Sequence, residues 1–402
     1  MSTLTSPPVR GESPDSVSAL PDADLMDVAG LLPDPERRRL AELDARLQAE
    51  VRPIVGAYWD REEFPFHLLP MLAELGLGDL VAPGVGRLFR GLAYAAVARA
   101  DVSLSALVGI HNELVVDLLA ALGSPEQQQR WLPGLRRFEN VGCFALTEPD
   151  HGSDIAGGLA TTATRDGDSW VIDGCKRWIG AGTFADFAIV WARDTADGAV
   201  KGFLVEAGTP GFTATKITGK MGLRIMQNAD LVLDAVRVPA DSLIPGAADF
   251  AAANVMLRNS RAWVGWQAAG VQLAILDRAR GYALARRQFG RPIARFQLVQ
   301  EQLARIQGNA AASLTLMAQL ARLQDEETFA MVHAALAKST ATRLARESAA
   351  CGRSLLGGNG ILAEYEVARL VGDVEILYTY EGTYEINSLI VGRAITGVSA
   401  FC

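Results

Sequence analysis

Apolar residues recur three and four positions apart through PERRRLAELDARLQAEVRPIV and FHLLPMLAELGL, which lie between about Pro33 and Phe138. Pro and Gly mark the ends of these runs, so the pattern predicts helices that turn one face to a core. From Asn140 to about Phe250 the period shortens. Runs such as SWVIDG, FADFAIVWARD, GFLVEA and ADLVLDAVRVP alternate, favour β-branched and aromatic residues, and are parted by Gly, Asp and Pro. They predict a β domain of barrel or sandwich form. After Ala251 helical spacing returns, clearest in Phe296, Val299, Leu303, Ile306, Ala310, Leu314, Met317 and Leu320. A stripe of roughly seven turns needs a partner along its whole length. That partner is the protein's own bundle or, at the far end, another subunit.

The chain thus divides into a helical domain (33–139), a β domain (140–250) and a second helical domain (251–402), an α+β organisation. Residues 1–32, rich in Ser, Pro and Asp, read as a flexible tail, with neither the apolar run of a signal peptide nor the basic character of a transit peptide. The order α, β, α departs from the βαβ alternation of a Rossmann domain, and neither GxGxxG nor GxxxxGK[ST] occurs. A dinucleotide, if bound, is held some other way.

Composition narrows the classes further. With 402 residues and 50% hydrophobic content there is material for a large core and several domains. A net charge of -8 argues against a nucleic-acid surface, which needs clustered Lys and Arg. Cys143, Cys175, Cys351 and Cys402 form no CxxC pair, and His67, His111, His151 and His333 share no metal-ligand spacing. No stretch offers about twenty uninterrupted apolar residues, so no membrane span is expected. The reading is a reduced, metal-free, cytoplasmic protein.

Candidate chemistry lies in four segments. CFALTEPDHGSD (Cys143–Asp154) offers the hydroxyls of Thr147 and Ser153, a chain fixed by Pro149, and a glycine, Gly152, where backbone can approach a flat or anionic ligand. On composition alone the favoured reading is an ordinary polar turn after a strand. KRWIG (Lys176–Gly180) puts a Trp on a strand, RRQFG (Arg286–Gly290) a helical arginine, and LLGGNGI (Leu355–Ile361) a glycine turn. YTYEGTYEIN (Tyr378–Asn387) sets one carboxylate, Glu381, among Tyr378, Tyr380 and Tyr384 and directly before a glycine.

In this order and spacing the motifs resemble the acyl-CoA dehydrogenase family, over nearly everything after the tail. Within it, YWDREEFPFH, CFALTEPDHGSD, RRQFGRPIARFQLVQ and YTYEGTYEINSLIVGRAITG look closest to glutaryl-CoA dehydrogenases and short-chain acyl-CoA oxidases. The resemblance implies an N-terminal helical domain, a middle β domain and a C-terminal four-helix bundle, commonly in a homotetramer. It implies FAD as cofactor and Glu381 as catalytic base, removing a proton α to a thioester while the Glu381 N–H and a flavin hydroxyl polarise the carbonyl. Phe144, Leu146, Thr147, Gly152 and Ser153 are expected along the flavin or its phosphate side, with Trp178 against the ring and Gly180 near N5. Arg286, Phe289, Gln297, Gly357 and Gly358 are expected on the diphosphate and adenosine across a subunit interface, and Thr383 on the pyrophosphate or ribityl. Arg261, Ser153, Ser105, Tyr380 and Gly382 are expected on the acyl-CoA.

Two departures shape the expectation. Where glutaryl-CoA dehydrogenases carry an arginine for the distal carboxylate, Ser105 stands here, which predicts a short, uncharged acyl group. Where many dehydrogenases read WIT, this chain reads WIG, and Gly180 is expected to leave the N5 edge more open to a small molecule. In LRNSRAW, Ser260 precedes Arg261, so the alternative position for the base holds no acid. The implied activity is α,β-dehydrogenation of a short-chain acyl-CoA with electrons passed to an electron-transferring flavoprotein. An oxidase using O2 is the second reading, and a non-catalytic flavin-binding homologue the third.

Overall fold

Each change of period in the sequence becomes a change of layer. The computed structural model describes residues 23–401. Of the expected tail, residues 1–22 lie outside the described residues. Residues 23–32 are packed instead: Ala23, Val28 and Leu32 are buried, and the Ala23 carbonyl accepts from Gln307 Nε2 at 2.9 Å. The Ser- and Pro-rich composition of the whole 1–32 stretch hid this end of it, ADLMDVAGLL, which is mostly apolar.

The first helical layer comprises α1 (Asp34–Arg46), α2 (Arg52–Arg61), α3 (Leu69–Glu74), α4 (Arg87–Ala100), α5 (Val102–Gly109), α6 (Asp117–Leu122) and α7 (Pro125–Leu135). A wide turn at Ile110–Val116 joins α5 and α6 into one helix, Val102–Leu122, capped by Asp101 Oδ1 accepting from the Leu104 N–H at 2.8 Å. By length and composition this helix could cross a membrane, yet most of it is buried within the protein.

The β domain holds β1 (Gly142–Ala145), the short α8 (Ile155–Gly158), β2 (Thr162–Asp166), β3 (Ser169–Ile179), β4 (Phe187–Asp194), β5 (Val200–Glu206), β6 (Phe212–Lys216) and β7 (Ala229–Pro239). They form one sheet in the order β1-β4-β2-β3-β7-β6, with β5 on the other edge of β4. β1 and β2 both pair in parallel with β4, and the remaining pairs are antiparallel. Ala163, Ile172, Val190, Phe203, Leu231 and Val236 share its core, the inward half of the alternation read from the sequence.

The last layer is built on α9 (Phe250–Ala285), 36 residues long, capped by Asp249 accepting from Ala251 N at 2.8 Å. The two-residue strands β8 (Arg287–Gln288) and β9 (Arg291–Pro292) lead into α10 (Gln297–Asp325), followed by α11 (Met331–Leu355), α12 (Val367–Thr379) and α13 (Tyr384–Thr396). The long stripe of α10 is buried from Ile306 to Leu320, whereas Phe296, Val299 and Leu303 at its start are only partly covered. Leu223, on the loop between β6 and β7, donates its N–H to Asp373 Oδ1 of α12 at 2.6 Å and ties the β domain to the bundle.

Candidate active site

Glu381 lies in the turn between α12 and α13, with φ at +53° and Gly382 after it at +85°. Left-handed backbone is routine for glycine but costs a residue with a Cβ about 1–2 kcal/mol, so something must hold this turn. Lys338 of α11, fully buried, donates Nζ to the carbonyls of Tyr378 at 2.9 Å and Gly382 at 2.7 Å, one on either side of Glu381. Asn387 of α13 donates Nδ2 to the Gly382 and Thr383 carbonyls, and its Oδ1 accepts from Arg261 Nε at 2.9 Å. Thr383 Oγ1 caps α13 by accepting from the Ile386 N–H at 3.2 Å, and the Tyr378 and Tyr384 rings stack at 4.8 Å.

The carboxylate itself is partly covered and meets Ser260 of α9, whose hydroxyl lies 2.6 Å from Glu381 Oε2. Burial raises the Glu381 pKa above the usual carboxylate range, opposed by the Ser260 hydrogen bond and the charges of Arg261 and Lys338. Burial also pushes the Lys338 ammonium down to about 7, against the pull of Glu381. Among the described residues the Glu381 N–H donates to no carbonyl. Beside it the Tyr380 hydroxyl donates to Gln267 Oε1, and the Tyr380 ring meets Trp263 edge-on at 5.7 Å. Trp263 fits against Gly109, where a Cβ would stand 1.9 Å from the indole. Glu381, Tyr380, Gly382, Thr383 and Arg261 therefore form one cluster: a proton-accepting carboxylate with an unspent N–H beside it.

A second cluster lies on the β domain. Lys176, fully buried, donates to the Leu146 carbonyl at 3.1 Å and to Glu148 Oε1 at 2.8 Å, while Glu148 accepts from the Ala160 and Thr161 N–H groups. With the Arg177 N–H on the Thr147 carbonyl at 2.8 Å, the turn after β1 is fixed on both strands' behalf. Phe144 is partly buried against Trp191, Leu146 is buried, Thr147 is partly covered, and Gly152 and Ser153 are exposed just before α8. Trp178 falls where the pairing of β3 with β7 shifts register, between Lys176 and Ile179, and has φ at +67°. Such an irregularity re-aims a side chain. Here the indole is 52% exposed, with the Arg177 guanidinium 4.8 Å from its ring.

Gly180, in the turn directly after β3, is buried. A Cβ there would come within 2.6 Å of both Ile110 Cδ1 and Met226 Cε. Two apolar side-chain ends therefore fill the space that a threonine side chain would take. Both atoms are flexible side-chain ends, so Gly180→Thr is predicted to fold at a cost near the low end of overpacking, about 1 kcal/mol. A thermal melt of the variant checks this.

The third group is at the surface. Arg286, Phe289, Gly357 and Gly358 line an open groove of about 490 Å³ together with Tyr282 and Phe296. Phe289 is 92% exposed, and a Cβ on either glycine would meet nothing within 4 Å. Gln297 is exposed at the start of α10 and is not part of this lining. Ser105 is buried in α5 with its hydroxyl donating to the Tyr94 carbonyl at 3.1 Å.

Sequence reasoning missed Lys338, Asn387, Gln267 and Met226. The signal for Lys338 was present: in MVHAALAKSTATRL it occupies the same helical stripe as Ala334, Ala335, Ala341 and Thr342, all buried. A cation on a buried face needs partners, and here they are the carbonyls flanking Glu381.

Three family models match the chain: acyl-CoA dehydrogenase N-terminal domain at residues 34–139, middle domain at 143–236 and C-terminal domain at 250–396. The mitochondrial short-chain specific acyl-CoA dehydrogenase of Bos taurus is 34% identical over 355 residues, covering 86% of each chain. A crystal structure of glutaryl-CoA dehydrogenase from Mycobacterium smegmatis superposes with a TM-score of 0.90 at 38% identity, over 95% of this chain and 100% of that one. A second, of a Mycobacterium smegmatis glutaryl-CoA dehydrogenase in complex with FADH2, also gives 0.90 at 35% identity, over 94% and 98%. The butyryl-CoA dehydrogenase of Megasphaera elsdenii gives 0.85 at 30% identity, over 90% and 98%.

Proposed function

The chain belongs to the acyl-CoA dehydrogenase family, and from that premise we propose that it oxidises a short, uncharged acyl-CoA to the trans-2-enoyl-CoA, with Glu381 as the base. The observation that carries the assignment of the base is the Glu381 turn: a carboxylate with raised proton affinity, held in left-handed backbone by a buried lysine.

The cofactor is FAD, and the residues present fit it. The exposed indole of Trp178 offers a face for a planar ring, and the fixed Thr147 turn offers polar groups beside it. The groove with Arg286, Phe289, Gly357 and Gly358 offers a cation, an aromatic face and open backbone for a diphosphate and a nucleoside. Bound FAD supplies the acceptor for the β-hydride. The chain's own work is to take the α-proton on a Glu381 carboxylate oxygen, to donate the Glu381 N–H to the thioester carbonyl, and to exclude water. Trp263, Tyr380, Ile110 and Met226 supply the apolar cover.

That groove lies at the surface beside the 92%-exposed Phe289 and the 79%-exposed Leu298. It supports a homotetramer in which one copy completes another's cofactor site. For the acceptor we favour an electron-transferring flavoprotein over O2, because Ile110 and Met226 close the space at Gly180.

The two cations facing Glu381 are committed to the loop: Lys338 to two carbonyls, and Arg261 to Asn387 and the Leu257 carbonyl. Arg90, buried in α4, is paired with Glu113 at 3.2 Å. A distal carboxylate thus gains no free guanidinium from these groups, and burying it unpaired costs several kcal/mol. Butyryl-CoA is therefore expected to exceed glutaryl-CoA in kcat/KM by about a hundredfold or more. Anaerobic mixing with a panel of acyl-CoAs, followed at the flavin band, tests the reading. Efficient CO2 release from glutaryl-CoA would reverse the substrate assignment, and no bleaching by any acyl-CoA would revive the non-catalytic alternative.

A further inference from the structure

Ser260 Oγ has two acceptors within reach but one proton. It lies 2.6 Å from Glu381 Oε2 and 3.0 Å from the Leu257 carbonyl, one helical turn back in α9, and is itself fully buried. A hydroxyl donates once and accepts twice. When Glu381 is ionised it can only accept, so the Ser260 proton must point to Oε2. When Glu381 is protonated it can donate to Ser260 Oγ, and the serine proton is then free to turn to Leu257. That carbonyl already receives Arg261 Nη1 at 2.5 Å, so it is satisfied whichever way the hydroxyl points.

We propose that Ser260 is a positioning residue that serves both protonation states of Glu381, donating to the carboxylate before proton abstraction and accepting from the carboxylic acid after it. The proposal rests on Glu381 being the base. In atoms, the substrate's α C–H breaks, its proton bonds to the Glu381 carboxylate, the electron pair stays on the substrate, and the Ser260 O–H only rotates. The carboxylate need not move to find a partner in either state, so the geometry set by the turn is kept across the transfer.

The other groups facing Glu381 set the background. Arg261 on the same helix and Lys338 from α11 favour its ionised form, and burial favours its neutral form. Tyr380 beside it has its hydroxyl engaged by Gln267, and Glu385 acts on Lys338 rather than on Glu381 directly. Arg261 and Lys338 cannot take a hydrogen bond from the acid, since a guanidinium and an ammonium only donate, and the Tyr380 hydroxyl is directed at Gln267. The competing account is a helical serine bonded back to a carbonyl three residues earlier, a common arrangement, with the carboxylate merely adjacent.

The test uses full-length, FAD-loaded protein labelled with carboxyl-13C glutamate, the Glu381 resonance being assigned by its loss in Glu381→Gln. In Ser260→Ala the Glu381 titration is expected to rise by about one pH unit, because the bond lost to the carboxylate is stronger than the bond lost to the acid. The acid limb of kcat/KM should rise with it, and Ser260→Thr should restore both. A Glu381 titration unchanged in Ser260→Ala, with turnover still lost in Glu381→Gln, overturns the proposal alone. Normal turnover in Glu381→Gln overturns the base assignment and the proposal together.

Discussion

Glu381→Gln should lower turnover by a hundredfold or more while leaving FAD content and acyl-CoA affinity close to those of the parent enzyme. The amide keeps the size of the carboxylate and can still accept from Ser260 at the 2.6 Å position. The backbone N–H at residue 381, the group available to the thioester carbonyl, is untouched. What is lost is the proton acceptor, and a positioned general base contributes typically 10²- to 10⁴-fold. Binding and chemistry separate cleanly here, because the substitution removes an interaction with a proton in transit rather than one with the resting substrate. Flavin absorbance gives the occupancy, titration of the visible band gives the affinity, and anaerobic stopped-flow bleaching gives the chemical step. Near-normal bleaching would place the base elsewhere, and Ser260, at the other position considered, has no acid to offer.

The layers of this fold were legible because their signals are periodic and long. Helical spacing in FHLLPMLAELGL and alternation in ADLVLDAVRVP each repeat enough to survive local exceptions. The Glu381 turn stood out for another reason: YEGT taken alone reads as a loop, and only the resemblance along the whole chain singled out its carboxylate. Three things were not legible. Ala23, Val28 and Leu32 dock the end of a tail whose composition is polar, and composition does not say which few side chains find a groove. The space beside Gly180 is set by Ile110 and Met226, which lie 70 and 46 residues away in sequence. Lys338 precedes Glu381 by 43 residues, and only the packing of α11 against α12 and α13 brings its ammonium to the turn. Contacts between distant segments are set by tertiary packing, and no local pattern encodes them.

Lys338→Met is expected to cut kcat by about a hundredfold with little change in melting temperature, a combination that follows from two opposed effects. On stability, the variant loses two hydrogen bonds to carbonyls, each worth about 0.5–1.5 kcal/mol net. It also relieves the burial of an ammonium whose pKa is driven from 10.5 to about 7, and thioether packing replaces the stem. These offset to within about 1–2 kcal/mol. Activity has no such offset. The Tyr378 and Gly382 carbonyls bracket Glu381, and without Nζ they lose the donor they share, leaving Asn387 to hold Gly382 and Thr383 from the far side. Glu381 in left-handed backbone can then relax, and a carboxylate displaced by about 1 Å from its proton can lose a hundredfold in rate. The pH profile gives the second readout. Lys338 holds the Glu381 pKa down, so its removal raises that pKa. Activity that requires ionised Glu381 is present above the pKa and lost below it, and the acid limb must therefore move to higher pH. A variant with parental kcat and an unmoved acid limb would reduce Lys338 to a packing residue, and the hold on the turn would then fall to Asn387 and Arg261.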